Sequence, residues 1–278
     1  MSDPQVTIVV IAHSVRDELA RCFSSIREHA GMPVRTILVD NASTDDTLEW
    51  VARAHPEVEV IALEENLVDA ARDRAMGDIA SLYTMFLDSD AMLTPGALPA
   101  MVEAMEAHSG WGLVGPRLIR DDGSVQESCR RFPPLLLPFL RRPPLGRFFE
   151  HRPVVQRHLM ADFSYDRTRP VLYVIGACQL FRTSLARAAG PFDRRAFRGI
   201  GWHDADWCLR IREAGGEVVF FAGATVVHSY RRATAKRPLS LASVGQLQAF
   251  VRFQRTYLRR RRELLRLGDD LDRAAVHG

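Results

Sequence analysis

The chain has 278 residues, of which 47% are hydrophobic and 26% are charged, so it can form a folded protein with one large α/β domain. No apolar run approaches the roughly 20 residues that a membrane span needs, and MSDPQVTIVV lacks the basic leader and cleavage site expected of a secreted protein. The four cysteines are scattered without a Cys-x-x-Cys pair, which argues against disulfides and against a zinc site.

The net charge of +3 conceals an uneven distribution along the chain. Residues 1–128 carry 9 Arg and no Lys against 22 Asp and Glu, a balance of −13. Residues 129–278 carry 28 basic and 12 acidic residues, a balance of +16. This asymmetry predicts that the second half contacts an anionic partner, such as lipid headgroups, a phosphorylated acceptor or nucleic acid.

The first half alternates segments with strand and helix patterns. Strands are predicted at Val6–Ala12, 36–39, 57–63 and 82–87. Helices are predicted at 17–29, after a capping box that begins at Ser43, at 68–76, and from Pro95 to about His108. This alternation is typical of βαβ units, so we expect an α/β fold with a Rossmann-like, mostly parallel sheet flanked by helices.

Polar residues follow each of these strands. They are His13-Ser14, Asp40-Asn41, residues 64–66 and Asp88-Ser89-Asp90. Because the carboxyl ends of parallel strands share one sheet edge, we expect a ligand-binding crevice there. The chain has neither G-x-G-x-x-G after the first strand nor a G-x-x-x-x-G-K-[ST] loop, which argues against a dinucleotide dehydrogenase and a P-loop enzyme.

Asp88 and Asp90 end the apolar run LYTMFL, which predicts a strand buried on both faces. Two carboxylates at the end of such a strand suit a hard divalent cation that also binds phosphate. The competing interpretation is that Asp-Ser-Asp caps the helix that follows Pro95.

The second half continues the alternation around an irregular segment. Strands are predicted at Trp111–Ile119, 172–181, 217–221 and 225–227, and helices at about 204–214 and 243–267, with a frayed tail from Gly268. Residues 129–170 contain 7 of the 15 prolines together with many Arg and apolar residues, which predicts an irregular flap or acceptor-binding insertion.

The predicted C-terminal helix has two faces. An apolar stripe contains Leu247, Phe250, Val251, Tyr257, Leu258 and Leu265, and an Arg face contains Arg252, Arg255, Arg259, Arg262 and Arg266. Such a helix either lies on an anionic membrane or packs on its own domain with a solvated Arg face.

Four segments, IVVIAHS, LVDNASTDDT, NLVDAARDRA and FLDSDA, resemble in this order the nucleotide-sugar glycosyltransferases of family 2, which have the GT-A fold. The bacterial rhamnosyltransferase-like branch is the most similar. The resemblance continues to about Tyr230 and includes HDADWCLR, which is similar to the E-D-x-D-L-C-x-R element of the family.

The resemblance implies a donor site at the strand ends. The implied nucleotide contacts are Ala12, His13, Asp40, Arg72, Asp88 and Ser89. Asp88 and Asp90 match the Asp-x-Asp motif, and His228 completes the implied site for Mn²⁺ or Mg²⁺. The alternatives are a helix cap for Asp40, a surface ion pair with Asp69 or Asp73 for Arg72, and a structural role for His228.

The resemblance also implies that Asp204 is the general base. Gly176, Ala177, Trp202 and His203 are the implied contacts of the donor sugar or the acceptor. Tight core packing is the alternative explanation for the small residues Gly176 and Ala177. His203 departs from the family pattern, because it occupies the first acidic position of that element. The alternative for Asp204 is a helix cap, since an acidic residue is favoured in the first turn of a helix.

These interpretations divide the chain into a nucleotide-sugar-binding half (1–128), the insertion (129–170), an acceptor and catalytic half (171–235) and a basic C-terminal helix (236–278). They imply a metal-dependent, inverting transfer of a sugar from a dTDP- or UDP-sugar to a glycan, lipid-linked or small-molecule acceptor.

The expected location is cytoplasmic, with peripheral contact at the inner face of the plasma membrane. Nucleic acid is not expected as a partner, and an oligomer is compatible with the sequence. A nucleotidyltransferase and a catalytically decayed surface-binding module are the alternative functions.

Overall fold

The computed structural model describes residues 4–141, 146–149, 151–191, 201–229 and 241–277. Its strands are β1 (Val6–Ala12), β2 (Val34–Asp40), β3 (Glu59–Ala62), β4 (Tyr83–Asp88), β5 (Ala91–Leu93), β6 (Trp111–Ile119), β7 (Val125–Gln126), β8 (Cys129–Arg130), β9 (Arg169–Pro170), β10 (Tyr173–Val174), β11 (Cys178–Arg182) and β12 (Glu217–His228). Its helices are α1 (Arg16–His29), α2 (Thr47–Ala54), α3 (Asp73–Met76), α4 (Ala97–Ala107), α5 (Leu137–Arg141), α6 (Gly146–Phe149), α7 (Pro153–Leu159), α8 (Thr183–Ala189), α9 (His203–Glu213), α10 (Leu241–Thr256) and α11 (Arg261–His277). A 3₁₀ turn, Val68–Arg72, leads into α3.

One mixed sheet forms the centre of the molecule, with the strand order β3-β2-β1-β4-β11-β6-β12-β5. The short strands β7 and β9 pair with β6 and β12. Strands β1 to β4 are parallel, β6 and β12 are parallel, and β11 lies antiparallel between β4 and β6. The parallel block brings the carboxyl ends of β1, β2 and β4 to one edge, as the sequence predicts.

Alternate side chains of β4 enter two different apolar layers, because successive residues of a strand point to opposite faces. Phe86 packs with Phe181 of β11 and Trp207 of α9, with ring centroids 4.7 and 5.9 Å away. Met85 and Leu87 pack on the other face with residues of α1 and α4. The helix α9 is therefore seated on the centre of the sheet by the buried indole of Trp207.

Two predicted helix starts are wrong. Helix α2 begins at Thr47, and Ser43 does not cap it, because the Ser43 hydroxyl accepts a hydrogen bond from the Ser14 amide at 2.9 Å. Helix α4 begins after Gly96, whose φ of +77° is left-handed, so Pro95 precedes the helix. Contacts between distant loops decide the first case, and local patterns do not show such contacts.

Two predicted strand boundaries also differ. The segment predicted as one strand at 172–181 is split into β10, which pairs with β8 in a separate two-stranded sheet, and β11 in the main sheet. The split lies at Ile175-Gly176-Ala177. In contrast, the two strands predicted at 217–221 and 225–227 form one strand, β12, with an irregularity between Phe221 and Thr225.

The insertion is not irregular throughout, because α5, α6 and α7 form within it. Pro153 occupies the first turn of α7, the one helical position where the missing amide proton costs nothing. Leu137 and Val155 are buried against Phe250 of α10. Tertiary contact with the C-terminal helix thus stabilises short helices in a segment whose proline content predicts irregular structure.

The C-terminal segment forms two helices and not one, with a hydrogen-bonded turn at 257–260 between them. Its apolar face packs on the domain, with Phe250, Phe253, Tyr257 and Leu264 almost fully buried. Leu258, predicted to lie on that face, is 60% exposed because the turn changes the register. The predicted fraying from Gly268 is also wrong, since α11 extends to His277. Among the described residues, no helix has both the length and the apolarity that crossing a bilayer requires.

Candidate active site

Asp88 and Asp90 lie where β4 ends and turns into β5. Strand β5 pairs antiparallel with β12, and this register places His228 opposite Ala91. The Ser229 amide donates to the carbonyl of Asp90 at 3.0 Å, which extends the pairing past the strand end. The pairing of β5 with β12 therefore brings together residues that are about 140 positions apart in the sequence.

One ligand atom from each of Asp88, Asp90 and His228 lies within 4.8 Å of the other two. The Nε2 atom of His228 is 3.2 Å from Oδ1 of Asp90. Two carboxylates and one imidazole form a donor set that fits Mn²⁺ or Mg²⁺, with imidazole favouring Mn²⁺ over purely oxygen-binding ions. The residues present thus fit the divalent cation that the sequence predicts.

The protonation states of the cluster respond to its charges. Burial alone would lower the pKa of His228, but the carboxylates of Asp90 and Asp88 outweigh that effect and raise it. Loss of hydration raises the pKa of Asp88 to about 6. The charge of Arg72 opposes this shift, and the charge of Asp90 adds to it. The Asp88 side chain is nevertheless 37% accessible to solvent. A bound cation would favour deprotonated forms of all three side chains.

Gln126 of β7 determines how the His228 ring is oriented. Its Oε1 is 2.8 Å from Nδ1 of His228, and the Gln126 side chain is buried. An Nδ1–H that donates to this amide oxygen leaves Nε2 directed at Asp90. A hydrogen bond to the other ring nitrogen fixes the tautomer of a histidine that binds a metal. Gln126 could not be predicted from the sequence, because β7 is two residues long and no local pattern marks its side chain.

Arg72 is buried and pairs with Asp88, at 2.8 Å from Nη2 to Oδ1. Its guanidinium carbon lies 4.9 Å from the centroid of the Phe86 ring. The alternative of a surface ion pair with Asp69 or Asp73 is therefore wrong. The guanidinium lies beside the group of Asp88, Asp90 and His228, which we call the cation cluster because it could bind a cation. There it adds positive charge beside the carboxylates.

The ends of β1 and β2 meet beside this cluster. The carbonyl of Ala12 accepts from the Asn41 amide at 2.7 Å, and Nδ1 of the exposed His13 is 2.9 Å from the Asn41 carbonyl. Asp40 is 1% exposed, and its Oδ2 accepts from the Ser43 amide at 3.1 Å. Its Oδ1 is buried without a hydrogen-bond partner among the described residues. Asp40 does not cap α2, because that helix begins seven residues later.

Asp204 reaches the same crevice from α9. A Cβ atom placed on Gly176 would lie 3.3 Å from Nη1 of Arg72 and 3.6 Å from Cβ of Asp204. The Ala177 carbonyl accepts from the Asp88 amide at 2.9 Å. The Gly176-Ala177 segment therefore lies between the Arg72–Asp88 pair and Asp204, and only a small residue fits this gap.

Asp204 is half-buried, and burial raises its pKa, with the charge of Asp69 acting in the same direction. Its Oδ1 accepts from the amide of Ala205 at 2.8 Å. This hydrogen bond opposes the shift, and so do the electrostatic interactions with His203 and Arg130. A carboxylate with a raised pKa is a stronger proton acceptor than an ordinary Asp, which suits general-base chemistry.

His203 is 2% exposed and forms an ion pair with Asp69, at 2.9 Å from Nδ1 to Oδ2. Burial would raise the pKa of Asp69, but the hydrogen bond and charge of His203, with Arg72, lower it to about 2. A carboxylate is thus present beside Asp204 even though the chain has histidine at position 203. Asp69 lies on the 3₁₀ turn, 134 positions earlier, so the sequence analysis did not pair it with His203.

Trp202 precedes α9 in a left-handed conformation, with φ of +72°. Its ring lies 4.9 Å from the ring of Phe250 and 5.4 Å from that of Phe253, both on α10. Ser89, in the turn between β4 and β5, is half-buried. The acceptor contact predicted for Trp202 and the nucleotide contact predicted for Ser89 both stay predictions.

Comparison with known proteins agrees with this architecture. The family model for glycosyl transferase family 2 matches residues 7–188. A relative from Mycobacterium tuberculosis, N-acetylglucosaminyl-diphospho-decaprenol L-rhamnosyltransferase, is 28% identical over 246 residues, which cover 84% of this chain and 78% of the relative. The succinoglycan biosynthesis protein ExoO of Rhizobium meliloti is 34% identical over 106 residues, 37% of this chain and 30% of that protein.

Solved structures share the fold at lower identity. A mannosyltransferase from Pyrobaculum calidifontis, in complex with GDP-Man and Mn²⁺, has a TM-score of 0.62 and 18% identity, and covers 93% of this chain. GalNAc-T7 with UDP, GalNAc and Mn²⁺ has a TM-score of 0.65 and 15% identity, and covers 91%. The chain spans 65% and 48% of the lengths of these two proteins. The chain belongs to glycosyl transferase family 2, in the rhamnosyltransferase-like branch, and has the GT-A fold.

Proposed function

We propose that this glycosyltransferase is divalent-cation-dependent and inverting, and that it transfers a sugar from a nucleoside diphosphate sugar to an acceptor hydroxyl. The observation that carries the proposal is the position of Asp204 across the Gly176-Ala177 segment from Arg72, Asp88 and the cation cluster. A base on one side and a cluster that fits a metal ion on the other match the two ends of a displacement reaction.

Asp88, Asp90 and His228 would hold Mn²⁺ or Mg²⁺, which would neutralise charge on the departing diphosphate. Asp204 accepts the proton of the acceptor hydroxyl as that oxygen forms its bond to the anomeric carbon. The bond from this carbon to the diphosphate oxygen breaks, and its electron pair leaves with the nucleoside diphosphate. Because the incoming oxygen attacks opposite the leaving group, a single displacement inverts the anomeric carbon.

The donor is recognised in this proposal by the ends of β1 and β2. The buried, unpartnered Oδ1 of Asp40 supports a contact with a donor N–H of the nucleobase, since a buried acceptor without a partner is costly. The exposed His13 ring next to it is suited to stack on the base. A dTDP-rhamnose donor is our first choice because of the mycobacterial relative, and UDP-sugars are the second.

We infer that the acceptor is a glycan or a lipid-linked saccharide, because the name of the mycobacterial relative specifies an N-acetylglucosaminyl-diphospho-decaprenol acceptor. We place the reaction in the cytoplasm, because all four cysteines are free, as is typical of a reducing compartment. A small-molecule acceptor is the alternative.

The test is a donor panel with and without Mn²⁺, followed by mass spectrometry of the products. We expect one dTDP- or UDP-sugar to be slowly hydrolysed to nucleoside diphosphate and free sugar, and EDTA to stop the reaction. Release of pyrophosphate would instead identify a nucleotidyltransferase. If no donor raises the melting temperature in Mn²⁺, the cation-dependent donor site is wrong and a decayed enzyme is the better description.

A further inference from the structure

Exposed apolar side chains are concentrated in two segments of this protein. Among the described residues, nine large hydrophobic side chains are exposed, and six of them belong to the insertion or the C-terminal helices. These six are Leu135, Leu136, Phe148, Val154, Val251 and Leu258, with exposures from 40% to 63%. Single exposed apolar residues need no explanation, but a concentration of them marks an interaction surface.

The two segments pack against one another, which brings their exposed residues together. Leu137 and Val155 of the insertion are buried against Phe250 of α10. The exposed Leu136 and Val154 are the chain neighbours of the first two, and Val251 is the neighbour of Phe250. Ion pairs of Arg157 with Asp269 and of Arg131 with Asp272 join the insertion to α11 as well. Leu136, Val154 and Val251 therefore border the contact between the two segments.

The C-terminal helices add positive charge to this region. Residues 251–262 contain six Arg and no acidic residue. Arg255, Arg259 and Arg262 are exposed, and no ion pair joins them to another residue in the described part of the chain. Val251 and Leu258 in the same segment are exposed, whereas Phe253 and Tyr257 are buried.

We propose that this basic–apolar surface, formed by the six exposed apolar residues and by Arg255, Arg259 and Arg262, docks on an anionic lipid bilayer. Apolar side chains enter the interface between headgroups and acyl chains, and the arginines bind the phosphate groups. A nucleic acid offers phosphates but no apolar phase for side chains such as Leu136 and Phe148, so a membrane satisfies both features of the surface.

The basic–apolar surface adjoins α9, the helix that carries the proposed general base. Trp202 contacts Phe250 and Phe253 and immediately precedes His203 and Asp204. Docking would therefore place the proposed general base close to the membrane plane, where a lipid-linked acceptor presents its hydroxyl groups. This consequence for the acceptor rests on the proposed function, whereas the docking itself does not.

The experiment is vesicle co-sedimentation of the full chain, without donor or metal, using phosphatidylcholine vesicles with and without phosphatidylglycerol. We expect binding only to the anionic vesicles and a loss of binding at high salt. The triple variant Arg255→Gln/Arg259→Gln/Arg262→Gln should lower the partition coefficient on the order of a hundredfold, from about 1 kcal/mol for each arginine. The double variant Leu136→Ser/Leu258→Ser should lower it as well.

Matched controls change the same chemistry elsewhere on the molecule. Arg21→Gln/Arg27→Gln/Arg53→Gln removes three exposed arginines from the acidic half, and Val60→Ser/Leu82→Ser removes two exposed apolar side chains. Both controls should bind anionic vesicles like the wild-type chain. The proposal is overturned by wild-type protein that ignores anionic vesicles, or by equal losses in test and control variants. Binding of a DNA duplex without vesicle binding would also overturn it. Because no outcome depends on catalysis, failure of the proposed function would be separately visible.

Discussion

The cation cluster and the beginning of α9 are assembled in different ways. The cluster depends on strand ends and on pairing of β5 with β12, all part of the central sheet. The beginning of α9 depends on the C-terminal helices, since Trp202 packs on Phe250 and Tyr257 donates to Asp206 at 2.8 Å. These helices lie beyond residues 7–188, which match the family model. His228 and β12 lie beyond these residues as well, so the family match alone does not separate the two regions. The difference is one of support: the proposed donor side depends on the central sheet, and the proposed base depends on contacts with the C-terminal helices.

The largest expected effect is a loss of transfer activity when the proposed base is changed and the cation cluster is left intact. Asp204→Asn should reduce transfer roughly 10²–10⁴-fold, because the acceptor proton loses its base. Donor affinity in Mn²⁺ should stay near the wild-type value, as measured by calorimetry. The variant should also be no less stable, since burial disfavours the ionised form of Asp204. Wild-type transfer rates in this variant would remove Asp204 from the mechanism.

A second substitution targets the cation cluster through Gln126. Gln126→Leu removes the acceptor of the His228 Nδ1–H, so we expect about 10–100-fold weaker Mn²⁺ binding by electron paramagnetic resonance titration. Gln126→Glu retains an oxygen acceptor at the same distance and should restore most of the affinity. Equal affinities in the wild-type and Leu variants would show that Gln126 does not orient the ring.

The attachment of α9 to the C-terminal helices can be tested by stability. Tyr257→Phe leaves the buried Asp206 with Arg210 alone, at 2.8 Å, and should cost about 1–3 kcal/mol in the free energy of unfolding. Tyr83→Phe is the matched control, because this buried hydroxyl receives only a 3.4 Å contact from Arg182. Denaturant titration should show the larger loss for Tyr257→Phe, with Mn²⁺ affinity unchanged. A loss of Mn²⁺ affinity instead would mean that the two regions are not independent.

The smallest effect concerns pH. Asp204 must be deprotonated to act as a base, and its pKa is raised by burial and then by Asp69, against Arg130 and His203. Transfer should therefore fall as the pH decreases through a value above the ordinary Asp pKa of about 3.9. The profile of kcat/KM is measured at saturating Mn²⁺, with donor binding followed at each pH to separate changes in the cation cluster. An acid limb at or below the ordinary value would contradict the predicted shift.

The sequence predicted the elements that depend on short-range patterns. The bounds of β1 and β6 agree with the structure, because mostly apolar segments of this length are typical of strands buried on both faces. The meeting of Asp88, Asp90 and His228 was also expected, from strand ends and family resemblance. Partners supplied by distant short segments were not expected: Gln126 lies on a two-residue strand, and Asp69 on a 3₁₀ turn. The turn at 257–260 was missed for a similar reason, since tertiary packing outweighs a continuous helical pattern there.

The pairing of Arg72 with Asp88 has a consequence for how this protein folds in the absence of the proposed metal ion. Two acidic groups in a crevice would repel each other if no positive charge were present, and many small metal-binding domains unfold when their ion is removed. Here Arg72 is a permanent counterion within the fold, and the raised pKa of His228 supplies a second positive charge when its ring is protonated. We therefore expect folding not to depend on the proposed metal ion, so that a newly synthesised chain could reach its native shape before any ion binds.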